Sequence, residues 1–187
     1  MARPIAAALL VILSPLLALI ALLVGLAMGR PILFHQERSG KNGRTMNLVK
    51  FRSMRDVSNL AGDPLPDEQR VTALGRLLRR SRLDELPGLW NVVTGDMAFV
   101  GPRPLLPQTI ARMGRAGQER GKVKPGLTGW AQINGNTLLT LDEKMALDLW
   151  YIDHANWRLD LSILARTVWV MVRGEKRRHK PLGWRGG

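Results

Sequence analysis

The chain has 187 residues, enough for one domain with an ordinary core, and no cysteine, which excludes a disulfide framework and any thiolate metal site. Its net charge of +13 and pI near 11.4 point to polyanionic partners: nucleic acid, anionic lipid head groups or phosphorylated substrates. His35, His154 and His179 stand far apart with no partner at helical spacing, so they read as surface or packing residues rather than metal ligands.

Residues 5–28 carry no charge. A straight helix of that length would run about 36 Å, against a hydrocarbon thickness of about 30 Å. A cleaved signal peptide fits poorly, because the run is long and Met28-Gly29-Arg30 is not a small-x-small site. A spanning helix is one reading; Ser14-Pro15, in the middle of the run, supports another. Pro15 cannot donate to the Val11 carbonyl, and lipid offers no water in its place. The Ser14 hydroxyl can fold back onto the Leu10 carbonyl and compensate in part. A helix broken there has two arms of about 15–20 Å, each too short to cross. Arg3 precedes the run and Arg30, Arg38, Lys41 and Arg44 follow it, so a positive-inside bias is satisfied at both ends only by re-entry. On the residues alone, re-entrant and kinked-spanning readings stand level. No second apolar run of spanning length follows, which puts the remainder on one side of the membrane.

Pro31 marks the exit. Residues 32–34 read as a short strand, 39–43 as a turn, and 46–54 as the returning strand. Lys50 and Arg52 share a face of that strand, either as a solvated face or as a pair of phosphate contacts. Residues 59–67 form a loop. Val71, Leu74, Leu77 and Leu78 then mark a helix with Arg70, Arg76, Arg79 and Arg80 elsewhere on it, suited to a membrane interface or to nucleic acid. Thr140-Leu141-Asp142-Glu143 is a capping box opening a helix with Leu141, Met145, Leu149 and Ile152 on one face. A second amphipathic helix covers 157–172. Trp157, Leu161, Leu164 and Val168 form its apolar side, opposite a polar stripe of Arg158, Ser162, Arg166 and Arg173. Asp160 and Arg166 make it a poor spanning segment and a plausible interfacial one. The tail over 173–185 is polybasic and suited to anionic lipid. There is no internal repeat and no interdomain linker.

No Walker A pattern, no Gly-x-Gly-x-x-Gly and no Gly-x-Ser-x-Gly occurs. What stands out is the segment Ser81-Arg82-Leu83-Asp84-Glu85-Leu86-Pro87-Gly88-Leu89-Trp90. Pro87 is tolerated only in the first turn of a helix, which predicts a helix start near Asp84. There two neighbouring carboxylates can address one space, with free N–H groups and the positive end of the helix dipole available to a phosphate. Such carboxylates can bind Mg²⁺ together with phosphate oxygens, and Arg79, Arg80 and Arg82 crowd the same turn. One carboxylate could attack phosphorus while its neighbour holds the metal. The plainer reading is a pair of capping acids beside arginines. In Gly101-Pro102-Arg103-Pro104 the arginine has little backbone freedom, which suits either a fork onto phosphate or a rigid turn. Residues 125–132 form a glycine-punctuated turn that presents Trp130 for stacking or packing.

The run SRLDELPGLWNVVTGDMAFVGPRP over residues 81–104 resembles the signature of the bacterial sugar transferases, the monotopic phosphoglycosyl transferases that initiate glycoconjugate assembly. Phe34-His35-Gln36-Glu37-Arg38 with Gly40, Lys50-Phe51-Arg52-Ser53-Met54, residues 125–132, Trp150-Tyr151-Ile152, Asn156-Trp157 and Leu159-Asp160 are similar in the same order. The resemblance thus covers nearly the whole chain.

It implies an α+β fold in two parts. Residues 1–30 would form a re-entrant membrane helix hairpin broken at Ser14-Pro15. Residues 31–187 would form a cytoplasmic interfacial catalytic domain with a short β-hairpin, several amphipathic interfacial helices and a basic C-terminal tail. It implies that Asp84 is the nucleophile and that Asp84 and Glu85 hold Mg²⁺. Asp84 would take the phosphosugar from a UDP-sugar, expelling UMP, and polyprenyl phosphate would then accept it. Lys50, Arg52 and Arg103 carry over as phosphate contacts, and Arg79 joins them as a substrate-binding candidate. The implied partners are a UDP-sugar, polyprenyl phosphate and anionic membrane lipids, with no nucleic acid and with room for a homodimer. The implied location is the cytoplasmic face of the bacterial inner membrane. The chain departs from the family pattern in three places: Pro4, Ile5 and Ala6 where an acid is usual, Asn136 where arginine is common, and Arg82 where a small hydroxyl residue is more usual.

Overall fold

In the computed structural model, which describes residues 2–57, 63 and 65–176, the apolar run forms two helices that meet at a bend of 62°. These are α1 (Ala2–Ile12) and α2 (Ser14–Met28). Pro15 lies in the first turn of α2, where its missing N–H costs that helix nothing, but it leaves the Val11 carbonyl without a donor. The Ser14 hydroxyl donates to that Val11 carbonyl at 2.7 Å, not to Leu10 as expected. The correction has a reason: the acceptor three residues back is the one proline orphans, so serine and proline act as a pair.

At 1.5 Å per residue the two arms are about 16 Å and about 22 Å long. Among the described residues no single helix is long and apolar enough to cross a membrane. Both arms pack on the same body. Ala6 lies with Leu89, Val92 and Met97, while Ile20 and Val24 lie with Phe51 and Leu78. The Arg3 guanidinium sits so close to Gly95 that a Cβ there would collide with it, and Gly95 is left-handed at φ +90°. Val11, Ile12, Leu19, Leu22 and Leu26 face outward with nothing covering them.

Beyond α2, β1 (Leu33–Ser39) and β2 (Thr45–Phe51) form an antiparallel hairpin, with Leu33 opposite Phe51 and Ser39 opposite Thr45. The return strand is shorter than predicted. It ends at Phe51, and Met54 forms an isolated bridge with Val71 instead. A short α3 (Asp67–Arg70) precedes α4 (Ala73–Ser81), whose Thr72 cap accepts from the Gly75 amide at 2.9 Å. The predicted leucine face divides: Leu78 is buried against α2, Leu77 is exposed, and Val71 lies outside the helix. Arg82, left-handed at φ +56°, ends α4 and opens a 3₁₀ turn over Leu83–Gly88. The α-helix expected to start near Asp84 begins only at α5 (Leu89–Thr94). Pro87 has no N–H for the Leu83 carbonyl, so the helical ladder forms only after it.

A parallel pair unmarked in the sequence pattern, β3 (Ala98–Val100) and β4 (Gly126–Thr128), brackets α6 (Pro107–Arg112) and α7 (Gly114–Arg120). Then come α8 (Trp130–Ile133), a 3₁₀ turn over Asn136–Leu138, α9 (Leu141–His154) and α10 (Trp157–Arg173). The capping box on α9 forms as predicted: the Glu143 amide donates to Thr140 Oγ1 at 3.2 Å, and the Thr140 amide to Glu143 Oε2 at 2.7 Å. Its inward face, however, is Met145, Leu147, Asp148 and Tyr151, and Leu141 is exposed. A buried aspartate on the core face hides the true period from hydrophobicity alone. On α10 only Ile163 is fully buried, while Trp157, Leu161, Val168, Trp169 and Val172 form an uncovered outer face. Asp160 accepts from the Tyr151 hydroxyl at 2.7 Å, which ties it to the core side. The fold is α+β, mostly helical. Most of the loop at 59–67 and the tail beyond residue 176 lie outside the described residues.

Candidate active site

Lys50, Arg52, Arg79, Asp84, Glu85 and Arg103 all line one cavity of about 570 Å³. Four pieces of chain bring them together: the end of β2, the 3₁₀ turn, the last turn of α4, and the loop after β3. Asn91 stitches the first two. Its carboxamide accepts from the Val49 amide at 3.1 Å and donates to the Asn47 carbonyl at 2.7 Å. Asn91 is 3 % exposed, so losing either bond would leave a buried polar group unpaired.

The two carboxylates are treated unequally. Lys50 Nζ and Arg103 Nη2 both donate to Glu85 Oε1, at 2.8 Å and 2.7 Å. Burial raises the Glu85 carboxyl, but Arg103 and Lys50 more than offset it and hold it at about 2. Among the described residues no donor reaches the Asp84 carboxylate, which is 8 % exposed. Burial, and then the charge of Glu85, push Asp84 up to about 6, with Lys50, Arg103 and Arg79 pulling the other way. One acid is neutralised and fixed; its neighbour is left with its lone pairs free.

Arg103 is held from behind. The Arg120 guanidinium donates to the Arg103 carbonyl and, through Nε, to Asp148 Oδ2 at 2.8 Å. Both partners of that ion pair are almost wholly buried. Burial pushes the Asp148 carboxyl up, and Arg120 draws it back only in part. Neither Arg120 nor Asp148 stood out in the sequence. Three-residue spacing from Met145 onto the core face was the available signal, and it is a weak one.

The other basic candidates have protein partners at the cavity wall. Arg52 lines the cavity, and its guanidinium donates to the Met54 and Arg30 carbonyls at 3.0 Å each and lies 3.3 Å from Asp56. It braces the rim next to the α2 exit. Arg79 donates to Ser53 Oγ at 2.9 Å and acts on Asp84 by charge. Arg82 points across the cavity to Glu175. Because Asp84 sits in a 3₁₀ turn, no α-helix N-terminus stands above it, and the pull on anions comes from side-chain cations.

The donor set fits a hard divalent cation. Asp84 and Glu85 are adjacent carboxylates, one without a donor and the other bonded through Oε1, and Mg²⁺ completes such a pair with water and phosphate oxygens. Among the described residues no cluster of three or more acidic or histidine ligands occurs, so substrate would have to supply the remaining oxygens.

The sequence profile described as bacterial sugar transferase matches residues 2–174. The chain is 47 % identical over 145 residues to the sugar transferase EpsL of Bacillus subtilis (strain 168), covering 78 % of this chain and 72 % of that protein. It is 45 % identical to the undecaprenyl-phosphate glucose phosphotransferase of Komagataeibacter xylinus, over 86 % of this chain and 33 % of that one. It is 40 % identical to the UDP-glucose:undecaprenyl-phosphate glucose-1-phosphate transferase of Escherichia coli (strain K12), over 88 % of this chain and 38 % of that one. The chain therefore spans between about a third and two fifths of those two longer relatives.

Proposed function

The chain belongs to the bacterial sugar transferase family, and on that premise we propose that it moves a sugar-1-phosphate from a UDP-sugar to polyprenyl phosphate. The observation that carries the reading is the unequal dyad. Glu85 is fixed between Lys50 and Arg103, while Asp84 beside it is ionisable, buried and without a donor.

In the first step an Asp84 oxygen attacks the sugar-bearing phosphorus of the donor. A carboxylate–phosphorus bond forms, the bridging P–O bond breaks, and UMP leaves with the electron pair. In the second step a phosphate oxygen of the polyprenyl phosphate attacks the same phosphorus and frees Asp84. The products are polyprenyl diphosphate sugar and UMP. Mg²⁺ held by Asp84 and Glu85 would supply charge neutralisation on the diphosphate. Lys50 and Arg103 orient Glu85 and present positive charge to the incoming phosphates, and Arg79 adds to that field.

A lipid acceptor also accounts for the outer surface. The bent pair α1 and α2 carries an uncovered apolar side, and so does α10. A straight spanning helix would carry Arg3 about 36 Å from the α2 exit; here both ends rest on one body, which favours re-entry from the cytoplasmic face. Pro31, Leu33 and Phe34 line the cavity at that exit, so a lipid phosphate reaches the dyad from the membrane side. The same surface suits anionic lipid, and the proposed location is the bacterial cytoplasmic membrane.

The test is purified protein in nanodiscs with Mg²⁺, undecaprenyl phosphate and a panel of UDP-sugars, following UMP. Release that needs Mg²⁺ and Asp84 supports the reading. Silence across the panel from folded protein overturns it.

A further inference from the structure

Two of the three non-glycine residues with left-handed backbone among the described residues, Arg82 at φ +56° and Asn136 at φ +43°, send their side chains to one carboxylate, that of Glu175. Arg82 Nη2 reaches Glu175 Oε1 at 2.8 Å and Asn136 Nδ2 reaches the same oxygen at 2.5 Å. The Thr137 amide donates to Oε2 at 3.1 Å, and the Thr137 hydroxyl donates to it as well. Four donors on one carboxylate make a built receptor, and it stands in the wall of the cavity that holds the dyad.

Its connections run straight to the nucleophile. The Arg82 carbonyl accepts from the Glu85 amide at 3.1 Å, so the Arg82 peptide closes the first turn of the 3₁₀ segment that carries Asp84. Left-handed backbone is costly for arginine and persists only where its surroundings hold it. On the other side, Glu175 directly follows Gly174, whose φ of +81° turns the chain back after α10 and whose amide closes on the Val170 carbonyl at 2.8 Å. One side chain thus links the end of α10, the 136–137 turn and the catalytic turn. Arg82 and Asn136 thus meet at this one carboxylate.

We propose that Glu175 is a positioning residue of this active site, clamping the left-handed turns at Arg82 and Asn136 and thereby fixing the turn that presents Asp84. The proposal rests on the reading of Asp84 as nucleophile. Without the clamp the donor still binds, through Lys50, Arg103 and Arg79, but Asp84 is held less often in line with the phosphorus.

The experiment compares wild type, Glu175→Ala and Glu175→Gln in the nanodisc assay, with sodium acetate or sodium chloride added at equal ionic strength. Expected is at least a tenfold fall in kcat for Glu175→Ala, a donor KM within about threefold of wild type, and a smaller fall for Glu175→Gln. Acetate should restore part of the Glu175→Ala rate by entering the vacated receptor, and chloride should not. Hydrogen–deuterium exchange at residues 82–88 should rise in Glu175→Ala whether or not any donor is turned over, which separates the clamp from the reaction assigned to the site. Unchanged kcat with unchanged exchange would overturn the proposal. So would a faster Glu175→Ala enzyme, since the carboxylate would then be a blocking occupant. Loss of kcat in Glu175→Ala that acetate leaves untouched, with exchange raised throughout the chain rather than at residues 82–88, would reduce Glu175 to a fold-stabilising residue.

Discussion

Asp148 accepts a hydrogen bond from Arg120 Nε at 2.8 Å with the two side chains 3 % and 5 % exposed, and the same guanidinium steadies the backbone of Arg103. Removing one partner strands the other as an uncompensated buried charge, at a cost of about 3–5 kcal/mol. Asp148→Ala is therefore expected to lower the denaturant midpoint sharply. Replacing both, as Arg120→Met with Asp148→Leu, should cost less than either single change. A double-mutant cycle in urea checks this; additive losses would show that the pair is not coupled.

The Asp84 carboxyl, pushed up to about 6 by burial and Glu85, sets a pH dependence with two signs. On the proposed reading the nucleophile must be ionised, so kcat/KM at a constant Mg²⁺ concentration should climb as pH rises through the Asp84 titration, at or below about 6, and level off above it. Stability runs the other way. A raised carboxyl binds its proton more tightly when folded, so ionising it costs folding on the order of 3 kcal/mol above pH 6 and nothing below about 4. Asp84→Asn should thus be inactive yet more heat-resistant than wild type at pH 7.5, with the gap closing towards pH 4. Thermal scans across that range check the sign, and a variant less stable at pH 7.5 would contradict it.

The dyad, its cations and the broken apolar run were legible because each is local: Asp84 and Glu85 are adjacent, Arg103 lies between prolines, and Pro15 interrupts a charge-free stretch. What escaped depends on distant parts of the chain. Asp148 looks like a solvent-facing acid until α7 brings Arg120 to it, and its burial rotates the inward face of α9 away from Leu141. The bonds of Arg52 to the Arg30 and Met54 carbonyls likewise come from chain that its own strand spacing does not reveal. The β3–β4 pair consists of three-residue strands 28 positions apart, too short for any alternation to register. Glu175 follows the last helical turn with nothing to mark it before Arg82 and Asn136 meet it.

Lys50 and Arg103 share a single oxygen of Glu85, so removing either leaves that carboxylate with one ion-pair partner. Lys50→Met or Arg103→Ala should raise the Glu85 carboxyl from about 2 and lower kcat/KM by about a hundredfold or more. Arg103→Lys should recover part of that loss, because the bond to Glu85 is a single N–H···O contact that an ammonium can make, while the guanidinium donors left for an incoming phosphate are lost. Glu85, held below its unfolded range, stabilises the fold above about pH 4.5 and loses that contribution as pH falls towards 2. The variants should therefore lose part of the acid transition expected of wild type. Steady-state kinetics and acid unfolding check the two halves separately.

Ser14 and Pro15 set the direction of the N-terminal arm, because the serine hydroxyl satisfies the carbonyl that the proline leaves bare. In lipid that carbonyl has no water to turn to, so Ser14→Ala should destabilise the bend by about 1–2 kcal/mol and reduce the folded fraction recovered in nanodiscs. Pro15→Ala restores the amide and removes the reason to bend. Re-entry predicts that a cysteine at Arg3 and one at Arg44 are both labelled by a membrane-impermeant thiol reagent from the cytoplasmic side in wild type. In Pro15→Ala a fraction of chains should straighten and carry the Arg3 site to the opposite face, while Arg44 stays where it was. Labelling of the Arg3 site from the far side in wild type would make the segment a kinked spanning helix, and the contacts of Arg3 with Gly95 and of Ala6 with Leu89 could not then exist in the membrane.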